Sequence, residues 1–157
     1  MAELLEVAEL VKVAVEDERT GVAFYTRLAH KSDKLKNVFT KLAEEERRHQ
    51  MRFEEMLADL GGVKPREQYA GEYTAYLKAL TNSRAFPDDA TAIRMADECS
   101  DDSEALLLAN RFERDTLILM GEMRKLLPAK SSEIVEELVA EEQSHLVALA
   151  EARQELD

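Results

Sequence analysis

The chain has 157 residues, 45% hydrophobic and 34% charged, with five glycines and three prolines. That is length enough for one domain with a sizeable core, in a composition suited to soluble helices. A formal charge of −12 excludes a general nucleic-acid or anionic-membrane surface, and a single cysteine, Cys99, excludes an intrachain disulfide or a Cys-x-x-Cys knuckle.

Four long helical patterns follow in chain order. The opening "MAELLEVAELV" mixes glutamate into apolar residues and lacks the basic start of a signal peptide. A first helix is predicted over about 3–29, with Val11, Val15, Val22 and Tyr25 at helical spacing. The second covers about 33–60 and is stopped by Gly61-Gly62. A crossover over 61–100 is partly helical, in "GEYTAYLKAL" and in "PDDATAIRMADE". Within it Tyr69, Tyr73 and Tyr76 are expected to pack the segment against the bundle or a partner subunit. The third helix opens at Asp101, with Glu104 completing a capping box, and ends before Pro128; the fourth covers about 132–156. No run approaches 18 apolar residues, so no membrane span is expected and a cytoplasmic location is.

The links "HKSD" and "PAKS" are short, which makes antiparallel neighbours of helices one and two, and of three and four. The expected fold is all-α: an antiparallel four-helix bundle of two helical hairpins, 3–60 and 101–156, joined by the long crossover in a single domain over 1–157.

The second helix contains Glu46-x-x-His49. With 23 glutamates in the chain, that pair alone is close to chance. The fourth helix repeats it as Glu142-x-x-His145, inside the matching series Leu42, Glu45, Glu46, His49 and Leu138, Glu141, Glu142, His145. Each half also has a glutamate upstream: Glu18 lies 28 residues before Glu46, and Glu113 lies 29 before Glu142. Residues three apart share a helix face, and each pair falls within an apolar stripe, Leu42–Phe53 or Leu138–Leu149. Four carboxylates and two imidazoles would then converge in the core. Bare buried carboxylates cost several kcal/mol each or take up protons, whereas two divalent cations balance four of them. Oxygen donors with imidazoles suit iron or manganese, with zinc less typical. The competing reading leaves the glutamates and histidines on solvated faces.

These residues resemble the ferritin-like superfamily of di-iron carboxylate proteins, and within it the rubrerythrin-type domain. The best stretches are "EDERTGVAFYTRLA", "KLAEEERRH" and "VAEEQSHL", and the likeness covers all four long helices. It implies Glu18, Glu46, His49, Glu113, Glu142 and His145 as metal ligands, with Glu46 and Glu142 bridging two Fe ions. Tyr25, seven residues after Glu18, matches a tyrosine beside the metals. The implied activity is reduction of peroxide or O2, with electrons from an external donor, rubredoxin-like or flavoprotein, in a homodimer. The alternatives are a ferroxidase with iron storage or delivery, and a bundle whose metal is structural. The chain departs from rubrerythrins proper in three ways. Asn110 or Thr116 stands where they carry a second inward carboxylate on the third helix. His145 stands where they often have glutamate. The sequence has no four-cysteine iron module. Met120 is the pseudo-symmetric mate of Tyr25.

Smaller features have two readings each. Glu45 and Glu141 either accept from the outward nitrogen of a ligand histidine or remain solvated. His30 is expected to serve the end of the first helix, Cys99 to be buried or half-buried, and Gly21 to admit close approach by another helix. Arg47 and Arg48 are expected in solvent.

Overall fold

The computed structural model describes residues 7–60 and 71–157, excluding the side chains of 71–74. Six helices and no strand occur among the described residues: α1 (Val7–Lys31), α2 (Lys36–Leu60), α3 (Gly71–Asn82), α4 (Asp89–Glu98), α5 (Asp102–Leu126) and α6 (Ala129–Leu156). The four long ones are the predicted bundle, and α3 and α4 are the helical parts of the crossover. Both hairpins pair within one chain. The α1–α2 and α5–α6 hairpins meet through α1 against α5 and α2 against α6, while α4 lies on α1.

Local chemistry sets the boundaries. The Asp101 carboxylate accepts from Glu104 N at 2.8 Å, while Glu104 reaches back to Ser100 N at 2.8 Å, one residue earlier than a standard capping box. Asp88 caps α4 by accepting from Thr91 N at 2.7 Å. α1 runs two residues past its predicted end because Lys31 has a role there: its Nζ donates to the carbonyls of Ala96, Asp97 and Cys99, at the C-terminus of α4. Ser32 Oγ accepts from Leu35 N at 2.9 Å, which delays the start of α2 to Lys36. α6 begins three residues earlier than expected, directly after Pro128, whose φ of −55° is already near helical. α2 ends at Leu60 beside the Gly61-Gly62 signal, and those glycines lie outside the described residues.

The core has three layers. At one end an aromatic cluster joins Phe24, Tyr25, Phe39, Phe86 and Phe112. At the other, aliphatic and methionine side chains pack together, among them Leu10, Phe53, Met56, Met120 and Leu138. Between them each long helix turns polar residues inward: Asp17 and Glu18, Glu46 and His49, Glu113 and Thr116, Glu142 and His145, all 3% exposed or less. The antiparallel hairpins bring these middles to one level. Of the crossover tyrosines, Tyr69 and the side chain of Tyr73 lie outside the described residues. Tyr76 is 45% exposed, and the buried anchor of α3 is Leu77 instead. His30 is exposed, as its place at the end of α1 suggests, and Cys99 is half-buried.

Gly21 marks the tightest crossing. A Cβ there would lie 2.8 Å from Phe112 Cζ and 3.4 Å from Glu46 Cγ. Phe112 cannot swing freely, because the rings of Phe24, Tyr25 and Phe86 flank it at 5.4–6.2 Å. Gly21→Ala should therefore destabilise the protein by about 1–2 kcal/mol despite the better helix propensity of alanine. Urea denaturation checks this, and a more stable variant would show that the α1–α5 crossing can relax.

Candidate metal centre

Four helices contribute one carboxylate or more to the middle layer because each places a glutamate within its apolar stripe. The structure brings together all six residues singled out from the sequence. They form two overlapping groups, Glu18–Glu46–His49–Glu142 and Glu46–Glu113–Glu142–His145, each with ligand atoms within 4.8 Å of one another. Glu46 and Glu142 belong to both, which is the arrangement two bridged cations need. The imidazoles stack face to face with centroids 5.5 Å apart and an interplanar angle of 13°.

Each ring turns Nδ1 inward. His49 Nδ1 lies 2.7 Å from Glu142 Oε1, 3.4 Å from Glu46 and 3.8 Å from Glu18. His145 Nδ1 lies 3.0 Å from Glu142, 3.4 Å from Glu113 and 3.6 Å from Glu46. The outward nitrogens meet the glutamates of the opposite hairpin. His49 Nε2 pairs with Glu141 at 2.7 Å. His145 Nε2 lies 2.9 Å from Glu45, off-line for a hydrogen bond. Both glutamates thus stand where they can orient a histidine, and the solvated reading holds only for the half-exposed outer side of Glu141. Arg47 and Arg48 are exposed as expected, with Arg48 3.5 Å from Glu45.

The donor set fits a metal pair on an observation independent of any comparison. Both oxygens of Glu18 and Glu46, one each of Glu113 and Glu142, and His145 Nδ1 are buried without a hydrogen-bond partner. Native interiors rarely leave so many polar atoms unsatisfied in one place.

Protons show the same demand. Burial raises Glu18 and Glu113 well above the carboxylate range, and the charges of Glu46 and Glu142 push further in that direction. Burial opposes the charging of both histidines, but their carboxylate contacts win: Glu142 and Glu46 raise His49 to about 10, and Glu113, Glu142 and Glu46 raise His145 as well. Glu46 and Glu142 are shifted down against burial, Glu46 by Glu18 and both histidines and Glu142 by both histidines. Without metal, protons on these side chains are what offsets the clustered negative charge.

Tyr25 OH donates to Glu113 Oε1, so the tyrosine from α1 touches a cluster carboxylate of α5. Burial, then the negative charge of Glu113, pushes the phenol well above 10 and keeps it protonated. Sequence reasoning missed Asp17. Its carboxylate accepts from Thr116 Oγ1 at 2.7 Å and lies 3.6 Å from Arg84 Nη1, and burial raises it to about 7 against both partners. The signal was present: Leu10, Ala14, Asp17, Gly21, Phe24 and Leu28 form a helical stripe. Thr116, one of the two candidate positions for a second inward carboxylate, serves Asp17. Asn110 is only partly buried.

A family model described as Rubrerythrin matches residues 9–153. The chain belongs to the rubrerythrin family. Among solved structures it is similar to a Thermotoga maritima protein provisionally described as a ferritin-like diiron-carboxylate protein. The identity is 24% and the TM-score 0.70, over 98% of this chain and 97% of that one, and this likeness establishes the fold. No curated protein matches. No helix among the described residues is long and apolar enough to cross a membrane.

The raised groups fix the sign of a pH effect. Glu18, Glu113, His49 and His145 all hold their protons to higher pH than usual in the metal-free protein, and a cation must displace the protons present. Divalent metal affinity should therefore rise with pH, with protons released as metal binds. Titration in a weakly buffered indicator solution measures this, and uptake without proton release would contradict the assigned protonation.

Proposed function

We propose that the chain is a di-iron oxidoreductase-type protein that reduces peroxide or O2 with electrons from a separate donor. The observation that carries this reading is the pair of overlapping groups sharing Glu46 and Glu142, with the protonated Tyr25 phenol on one of their carboxylates. Two Fe ions held there would supply the two electrons that an oxidant such as H2O2 needs, and Mn or Zn would suit the same donors less well for that task.

The protein residues do the rest. Glu18 with His49 would hold one ion and Glu113 with His145 the other, and Glu46 and Glu142, common to both groups, would serve either. Four carboxylates against two dications leave the centre neutral, so the bundle interior tolerates it. Reducing H2O2 to two waters consumes two protons as well as two electrons. Tyr25 is placed to help deliver one, because its hydroxyl already donates to Glu113. The rings of Phe24, Phe39 and Phe112 pack around Tyr25 and shield that hydrogen bond from bulk water. The electrons are proposed to come from a separate donor, rubredoxin-like or a flavoprotein; these 157 residues hold one cysteine. The working protein is proposed to be a cytoplasmic homodimer.

Stopped-flow mixing of the anaerobic Fe(II)-loaded protein with H2O2 tests the proposal. Rapid oxidation is expected in the wild type. Tyr25→Phe should retain its iron yet oxidise roughly 10–100-fold more slowly. Glu46→Ala and Glu142→Ala should lose iron altogether. An Fe(II) form inert to both peroxide and O2 would overturn the reading.

A further inference from the structure

The cluster can be approached from the α2–α6 face through two grooves related by the internal repeat. Residues 48, 49, 51, 52 and 55 line one, and their repeat mates 144, 145, 147, 148 and 151 line the other. His49 with Glu141 forms the inner end of the first groove, and His145 with Glu45 that of the second. The two differ in charge. The His49 groove, about 250 Å³, sets Arg48, Arg52 and the protonated His49 against two carboxylates, Glu55 and Glu141. In the His145 groove, about 450 Å³, the mates of those arginines are Ser144 and Ala148. That wider groove continues along α6 past Glu151 to Glu155, so three carboxylates, Glu45 included, face Lys41 and the protonated His145.

An acidic groove needs a reason to be more than a solvated surface, and His145 supplies it. The side chain is 1% exposed, lines the groove, and has no in-line hydrogen-bond partner for Nε2, although Glu45 lies 2.9 Å away. Glu45 is not locked in place either. It is 20% exposed, and its other contacts are long ones, Lys41 at 4.0 Å and Arg48 at 3.5 Å. At the corresponding place in the other groove, the histidine is tied to Glu141 by a 2.7 Å hydrogen bond and two arginines stand nearby.

We propose that the His145 groove is the route by which divalent cations reach the cluster, with Glu155, Glu151 and Glu45 as successive carboxylate stations. The inference rests on the metal-pair reading. A hydrated dication is drawn to Glu155 and Glu151, passes to Glu45, and enters where Glu45 and His145 form the wall between groove and cluster. Arg48 and Arg52 repel cations from the symmetry-related opening, so loading is one-sided although the ligand set is two-fold. A like arrangement of charged walls concentrates counter-ions and accelerates their capture by roughly 10-fold or more at low ionic strength.

The test follows uptake of Co(II) by metal-free protein through its visible absorption, recording both the rate and the final occupancy. Glu151→Gln/Glu155→Gln changes only exposed side chains. It should load at least roughly threefold more slowly at low ionic strength, reach the wild-type occupancy, and lose most of the difference in high salt. Lys41→Gln should load faster, while Glu55→Gln, in the opposite groove, should match the wild type. Unchanged rates in the double variant and in Lys41→Gln, or equal slowing by Glu55→Gln, would overturn the route while leaving the metal-pair reading intact. A wild type that binds no Co(II) at the cluster would overturn both.

Discussion

Four carboxylates from four helices meet in the dry middle of this bundle, between an aromatic layer and an aliphatic one. Like charges at such separations repel strongly where the dielectric is low, and each desolvated carboxylate costs several kcal/mol unless it is compensated. Only two remedies are open to these side chains. Protons on Glu18, Glu113 and both histidines offset the clustered negative charge in the absence of metal. Two dications neutralise it with every ligand deprotonated. The second remedy also satisfies the orphaned oxygens, which protons do only in part. Gly21 at the α1–α5 crossing, the aromatic wall at Phe112 and the histidine-orienting glutamates all follow from the need to hold these groups at one level.

Much of this was legible in the chain because the repeat is legible. The matched series at 42–49 and 138–145, with Glu18 and Glu113 at near-equal distances upstream, defines one level in a four-helix bundle. Helical periodicity then says which way the residues face. Asp17 was harder to find. A second acidic residue beside Glu18 looks like ordinary surface charge in a chain with 33 acidic residues, and its burial depends on Arg84 from the crossover and Thr116 from α5. No local pattern encodes a meeting of three distant segments. Of the crossover tyrosines only the Tyr76 side chain lies among the described residues, and helical spacing shows that residues share a face without showing that the face is buried. At Tyr76 that face is largely open, and Leu77 carries the burial.

The two-fold symmetry is closest where the metal ligands lie and breaks down just outside them. Tyr25 reaches Glu113, while Met120, its mate, packs in the aliphatic layer. Arginines line one opening and Ser144 and Ala148 the other. A repeat that keeps its ligands but varies their surroundings can assign different tasks to its two halves. Here the proton-bearing side chain and the acidic groove both lie toward the half that contains Glu113 and His145.

The central claim is that two ions share Glu46 and Glu142 between them. A crystal structure of the iron-loaded protein, with anomalous differences measured at the iron edge, tests it most directly. Two peaks are expected, one beside Glu18 and His49 and the other beside Glu113 and His145, with both shared carboxylates reaching each. A single peak, or iron bound only at the surface while the cluster keeps its protons, would contradict it.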